Sequence, residues 1–326
     1  MKKTDFFKND RIHIINDSVF NTDKIDNNSI DLIVTSPPYN VDIKYNSHDD
    51  QISYEKYKEF SENWMRRCFN WLKDDGRFCL NIPLDKNKGG QQSVGADLTY
   101  IAKKIVGFNY HSTIIWNEGN ISRKTAWGSW KSASAPYIIA PVELIVIFYK
   151  KEWKKTSGSK ISTISGDDFK NWTHGLWTFS GESKKKIGHP APFPLKLPER
   201  CIQLFSYKYD TILDPFLGSG STLVAAYLND RNGIGIDIDK HYCEIAFNRL
   251  KNEAGLQIPE WEKNQKEIIM NYFKENPNRD IPNSEVKEWI LSSKLHIPYY
   301  DRVLRYLVKD CLLTRSQDGV FRYERN

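Results

Sequence analysis

Residues Thr211 to Thr222, TILDPFLGSGST, admit few folds. An apolar strand runs into Asp214-Pro215 and then into Gly218-x-Gly220, after which Leu223 to Leu228 has helix-forming composition. Strand, glycine turn and helix in that order form the first βα unit of a nucleotide-type site in a parallel sheet. The glycines let backbone approach a ligand, and the helix N-terminus adds a positive dipole. A second strand, Gly233 to Asp237 (GIGID), ends in a carboxylate 19 positions beyond Gly218. That is close to the roughly 20-residue interval at which an acid meets ribose hydroxyls. The third glycine of a dinucleotide fingerprint is absent, and so is the lysine of a phosphate loop. A nucleoside triphosphate is therefore poorly served, and an adenosine ligand without phosphates fits better. S-adenosylmethionine suits the segment, with Asp214 taking its charged amino group. A dehydrogenase-type dinucleotide is the competing reading.

The stretch Asp31 to Asn40, DLIVTSPPYN, supplies a second half. Leu32, Ile33 and Val34 suit a buried strand of a parallel sheet. Two prolines stop it, and each pushes the residue before it out of the helical region. Ser36 and Pro37 are held extended, so their carbonyls are not taken up by a following helix. Rigid acceptors at a strand's carboxyl end, beside a serine hydroxyl and the Tyr39 ring, can hold an exocyclic amine on a planar base. A plain strand stop, with Tyr39 capping the core, is the alternative at this point.

The 326 residues suffice for one large α/β domain with an appendage, or for two domains. No run approaches the roughly 18 consecutive apolar residues that would suggest a membrane span. The start MKKTDFFKNDR has no apolar region after its lysines, so no secretory signal is read and a cytoplasmic protein is expected. Five cysteines, widely spaced and never in a C-x-x-C pair, favour reduced thiols over disulfides, and no metal site is expected. The net charge of +6 permits nucleic-acid binding without demanding it. Lys150, Lys151, Lys154 and Lys155 cluster near one another, and Lys184 and Lys185 follow. A second basic stretch, Asn117 to Pro136, interleaves Arg123 and Lys124 with Trp127, a pattern that can follow a phosphate backbone and stack on bases.

Between these landmarks the spacing predicts strands at Arg11–Ile15, Arg77–Ile82, His111–Trp116 and Glu143–Tyr149. Tyr54, Tyr57, Phe60, Trp64, Cys68 and Trp71 form one helical stripe that Asp74-Asp75-Gly76 should end. Asp97 is expected to cap a helix running through Gly107. Asp17, at a strand end, could accept from a ligand N–H or close an Asx-turn. Residues 150–188 read as an insertion outside the sheet.

With both stretches in hand, the chain resembles the DNA amino-methyltransferases, the N4-cytosine and N6-adenine enzymes of restriction–modification systems. TSPPYN matches their catalytic motif and DPFLGSGST their cofactor motif, and HPAPFPLKLPERCI looks like the segment before the latter in the permuted subgroup, whose catalytic motif comes first. The resemblance covers roughly residues 10 to 254. It implies an α/β, Rossmann-like methyltransferase with a mixed, mostly parallel sheet over residues 1–255. It also implies S-adenosyl-L-methionine as cofactor, double-stranded DNA as substrate, base flipping and a cognate restriction endonuclease, with a homodimer as a further expectation. Ser36, Pro37, Pro38 and Tyr39 fall at catalytic positions. Asp17, Asp214, Phe216, Gly218, Gly220 and Asp237 fall at cofactor positions, and the 150–188 insertion lies where target recognition is expected. The first motif residue is commonly Asp in adenine enzymes and Ser in cytosine enzymes, so Ser36 tilts towards cytosine N4. Adenine N6, a non-catalytic DNA-binding regulator, and a methyltransferase acting on protein or RNA are the alternatives. Residues 256–326 read as helices followed by a hairpin, an α+β module of winged-helix character that could contact DNA, self-associate or simply pack.

Overall fold

The structure is a computed structural model that describes residues 4–39, 52–85, 92–119, 129, 131–136, 138, 142–156, 158–181, 194–256, 260–293, 300–309, 312–316 and 320–324. The chain divides into two compact units, residues 1–256 and 257–326.

In the first unit, the strands are β1 (Thr4–Lys8), β2 (Ile12–Asn16), β3 (Ile30–Thr35), β4 (Leu72–Pro83), β5 (Asn109–Asn117), β6 (Val142–Tyr149), β7 (Leu176–Thr178), β8 (Thr211–Asp214) and β9 (Asn232–Asp237). They form one sheet in the order β1-β2-β9-β8-β3-β4-β6-β5-β7. The five central strands, from β2 to β4, are mutually parallel; β1 and β6 run against their neighbours. All six residues of β3 are buried, as a strand covered on both faces requires.

The pleat sorts the core into two layers. Ile33, Phe78, Leu80, Val146 and Phe148 meet Trp64, Met65 and Cys68 of α1 (Tyr54–Trp71), and Leu98 of α2 (Val94–Tyr100). Leu32, Val34, Cys79, Ile145 and Ile147 meet Leu197, Cys201 and Ile202 of α4 (Lys196–Phe205), with Ala225 and Ala226 of α5 (Ser221–Leu228). A short α3 (Gly166–Trp172) precedes β7, and α6 (Lys240–Glu253) packs with β2 and β9.

Local signals misplace some boundaries. α1 passes directly into β4 at Leu72, so Asp74-Asp75-Gly76 lies within the strand rather than ending the helix. The carbonyls of Asp74 and Gly76 accept from the backbone N–H groups of Lys151 and Lys150, which keeps that stretch extended. Asp97 lies inside α2 and accepts from the Tyr54 hydroxyl at 2.7 Å; the cap position is Ser93. Beyond α2 the helix widens into a π-helical stretch, Ile101–Val106, and stops at Gly107. Within 150–181 the chain does not stay outside the sheet: Leu176–Thr178 pairs in parallel with β5 and forms its edge.

The second unit holds α7 (Glu260–Glu275), β10 (Ile281–Pro282), α8 (Asn283–Ser292), α9 (Tyr300–Lys309), β11 (Thr314–Arg315) and β12 (Val320–Arg322). Its strands are antiparallel in the order β10-β12-β11, around a core that includes Phe273, Ile281, Val286, Leu304, Leu307 and Phe321. The expected hairpin turn, Gln317-Asp318-Gly319, lies outside the described residues.

Candidate active site

β3 and β8 are neighbours in the sheet, Leu32 beside Ile212 and Ile33 beside Leu213. At their carboxyl ends the Thr35 hydroxyl donates to Asp214 Oδ1 at 2.7 Å, joining segments 179 residues apart. The prolines that stop β3 and the glycine turn that follows β8 therefore open onto the same edge. Between them lies a cleft of about 380 Å³. Its wall is built from Asp17 to Phe20 after β2, Ser36 to Tyr39 after β3, Pro215, Phe216 and Gly218 after β8, and Ile236 to Ile238 at the end of β9, with Phe60 and Tyr242. A crevice outside the carboxyl ends of adjacent parallel strands is where α/β sheets bind ligands.

The cleft's acidic groups are prepared for a ligand rich in donors. Asp17 Oδ1 accepts from the Ser18 N–H at 2.8 Å, while its Oδ2 is buried without a hydrogen-bond partner. Asp237 takes backbone N–H groups on both oxygens, Gly218 on Oδ2 and Asp239 on Oδ1, each at 2.8 Å. Burial nevertheless pushes its carboxyl up to about 6. Asp214 lies fully buried beneath Pro215 and Phe216 and does not line the cleft. Its Oδ1 accepts from Thr35 and, at 3.1 Å, from the Phe216 N–H, and the Thr222 hydroxyl also bonds this carboxyl; burial pushes the group up to about 7. Leaving the Asp17 oxygen unmatched costs about 1–3 kcal/mol, a cost that a cation bearing N–H donors in the cleft would remove. Phe216 stands edge-on to Trp64, ring centroids 5.2 Å apart. Gly220 does not line the cleft. It lets the turn approach α6, since a Cβ there would fall 2.5 Å from Ala246 Cβ.

On the opposite wall Tyr39 is tied by its hydroxyl. Ser36 and Tyr39 share a hydrogen bond, Asn81 Nδ2 donates to Tyr39 Oη at 2.9 Å, and Tyr39 donates to Glu143 Oε2 at 3.0 Å. Asn81 Nδ2 also donates to Glu143 Oε2, at 2.6 Å. Desolvation pushes the Glu143 carboxyl up to about 7, against the pull of the Asn81 and Tyr39 hydrogen bonds. Asn81 and Glu143 were not anticipated, although each is a polar residue in an otherwise apolar run (FCLNIP and ELIVIFY).

The chain matches the DNA methylase family over residues 30–248. It belongs to that family. A Type II methyltransferase of Methanocaldococcus jannaschii, M.MjaVI, is 60% identical over 176 residues, covering 54% of this chain and 89% of the relative. The Type II methyltransferase M.HpaI of Haemophilus parainfluenzae is 31% identical over 248 residues, 70% of each chain. Among solved structures, a DNA modification methylase of Thermus thermophilus in complex with S-adenosyl-L-methionine superposes with a TM-score of 0.55 at 26% identity, over 71% of this chain and 90% of that one. The cytosine-N4-specific PvuII DNA methyltransferase shares the fold, with a TM-score of 0.60 at 20% identity over 76% of this chain and 89% of that one. S-adenosyl-L-methionine is the cofactor of the family.

In this methylase two lysines expected at DNA are structural. Lys155 is buried, its ammonium 3.2 Å from Asp31 and 3.5 Å from Asp210. Lys150 is buried too, donating to the Leu72 carbonyl and Asn28 Oδ1 at 2.7 Å each. Both follow the end of β6 opposite Glu143, and seven residues of extended strand separate those ends by roughly 24 Å. The lysine run thus closes the amino ends of the parallel strands, where the Asp31 and Asp210 carboxylates need cations. Lys151 and Lys154 are exposed at that same end, Lys151 paired with Asp74 at 2.9 Å. Arg123, Lys124, Trp127, Lys184 and Lys185 lie outside the described residues. Among the described residues no cluster of His, Cys, Asp and Glu could hold a metal, and no helix is long and apolar enough to cross a membrane.

Proposed function

We propose that this methylase transfers a methyl group from S-adenosyl-L-methionine to the exocyclic N4 amine of a cytosine flipped out of duplex DNA, as the modifying arm of a restriction–modification system with a cognate endonuclease. One observation carries the reading: Ser36 and Gly218, from the two halves of the sequence, form walls of a single cleft. The order of the motifs, catalytic before cofactor, matches the permuted subgroup. The cofactor supplies an electrophilic methyl on a sulfonium. Asp17, with its unmatched buried oxygen on the cleft wall, would hold its ammonium end. Asp237, at the end of β9 on the cleft wall, would take the ribose hydroxyls, and Phe216 would lie against the adenine.

The target amine is a weak nucleophile because its lone pair is delocalised into the ring. Hydrogen bonds from its N–H groups to the Ser36 hydroxyl and the Pro37 carbonyl would localise that pair and aim it. Acceptors held on a proline-stiffened backbone need no reorganisation as charge develops on the nitrogen. The ring of Tyr39 would stack on the flipped base. Ser36, rather than Asp, at the head of the motif is what favours cytosine. Duplex contacts fall to Arg123, Lys124, Trp127, Lys184 and Lys185.

Incubation of duplex DNA with labelled methyl donor, followed by digestion to nucleosides, should yield N4-methylcytosine. N6-methyladenine would overturn the base assignment, and duplex binding without any methylation would make the chain a regulator. Tyr39→Ala should weaken methylation and leave cofactor affinity intact; equal loss of both would make Tyr39 a packing residue.

A further inference from the structure

Tyr39 Oη has one proton to give and can accept two. Asn81 Nδ2 occupies one acceptor position, and its other N–H is held by Glu143 Oε2. An ionised Glu143 is acceptor-only, so the Tyr39 proton points to it. A second acceptor, the Asn81 carbonyl oxygen, lies farther from Tyr39 Oη at 3.3 Å; with the Tyr39 proton on Glu143, Ser36 must donate to Tyr39, which leaves lone pairs of the Ser36 oxygen to face the cleft. We propose that Glu143, with Asn81, sets the direction of this hydroxyl chain so that Ser36 meets the target amine as an acceptor, and that Glu143 receives the proton the amine gives up. The proposal rests on the amine-methylating reading above.

The step balances. As the N–C bond forms and the methyl–sulfur bond breaks, its electron pair staying on sulfur, the nitrogen becomes positively charged; one N–H bond then breaks, its electron pair staying on nitrogen. That proton passes to Ser36 Oγ, the Ser36 proton to Tyr39 Oη, and the Tyr39 proton to Glu143 Oε2. Serine and tyrosine end unchanged, and the carboxylate ends as a carboxylic acid. Once the base has left, the same chain returns the proton to water in the cleft. The groups facing Glu143 are Tyr39 after β3, Asn81 on β4 and the Glu118 carboxylate after β5, which together with desolvation favours the protonated form. Glu143 touches neither base nor cofactor in this scheme, so it is a positioning residue. A neutral acid at that point would donate to Tyr39 and turn the chain the wrong way.

The test uses the full chain, duplex DNA and labelled methyl donor in single turnover between pH 5.5 and 9. The wild-type rate should fall below about pH 7. Glu143→Gln keeps the size and a carbonyl acceptor but cannot take the proton. It should slow transfer by about 10²-fold, in the range of general-base catalysis, and abolish the acid limb at unchanged cofactor affinity. Tyr39→Phe should do the same, and the double variant should be no slower than either single one. A wild-type rate and acid limb in either single variant, or losses that multiply in the double variant, would overturn the relay. If Glu143→Gln fails to fold, Tyr39→Phe alone decides, since it removes only the hydroxyl. If the wild type methylates no DNA, the functional reading fails instead. The hydroxyl chain is then judged by infrared spectroscopy: a carboxylic-acid band that appears as pH falls below about 7, is lost in Glu143→Gln and is displaced in Tyr39→Phe supports it, and a band persisting at pH 9, or none at pH 5.5, overturns it.

Discussion

Gly220 offers a measurable check on how the glycine turn is held. It sits at φ 81°, ψ 18°, the left-handed region, where an L side chain costs about 1–2 kcal/mol. A Cβ there would also meet Ala246 Cβ at 2.5 Å and Ala246 Cα at 2.8 Å. Neither atom can rotate away, so α6 itself must shift, and overpacking of that kind costs about 1–3 kcal/mol. Gly220→Ala should therefore destabilise the first unit by about 2–5 kcal/mol. Gly107 provides the control. It is also left-handed, at φ 104°, ψ 14°, but an added Cβ meets nothing within 4 Å. Gly107→Ala should lose the backbone term alone. In calorimetry of the full chain, the first unit of Gly220→Ala should melt roughly 2–12 °C below that of Gly107→Ala. Equal melting temperatures would show that α6 yields freely, and that contact with Ala246 is not what makes glycine necessary.

Asp214, raised by burial to about 7 from an ordinary value of 3.8, is preferred neutral in the folded protein. Its contribution to stability is present below about pH 4 and lost as pH rises through 7. Between pH 5 and 8, without cofactor, the wild type should lose more thermal stability than Asp214→Asn; parallel losses would refute the assignment. Lys155→Met takes from Asp31 and Asp210 the buried cation they share, leaving Lys73 and Lys160 as their paired lysines among the described residues, and should cost about 3 kcal/mol in urea unfolding at unchanged duplex affinity. A variant of ordinary stability with weakened DNA binding would return Lys155 to the nucleic-acid surface.

The parts of the site readable from residues are those whose chemistry acts locally. Two prolines stop β3 whatever surrounds them, and Gly218-x-Gly220 turns β8 into a helix by backbone freedom alone. The spacing of Asp237 from Gly218 follows from the length of one βα unit, and the two groups do meet. Misreadings arise where the partner is remote. The lysine run looks solvated because Asp31 lies 124 residues from Lys155 in the chain, yet the two are in contact. β7 is too short to carry a period-two signal, and it is a strand because β5 offers an edge. Asn81 and Glu143 were hidden by their company, since one polar residue in an apolar run leaves the strand pattern intact. Such a residue could have been flagged as a buried acceptor or donor in need of a partner.

The seam between β3 and β8 also sets an order of assembly. On one side of it, β3 to β7 come from a continuous stretch, residues 30–178. On the other, β1 and β2 from the start of the chain wait for β8 and β9 before they have a parallel neighbour. A nascent chain can therefore shape the wall that carries Ser36 and Tyr39 long before the wall that carries Gly218 and Asp237 exists, and the slow, high-contact-order closure comes last. Pulsed hydrogen exchange during refolding should protect the amides of β4 and β6 ahead of those of β2; simultaneous protection would mean that both flanks condense together.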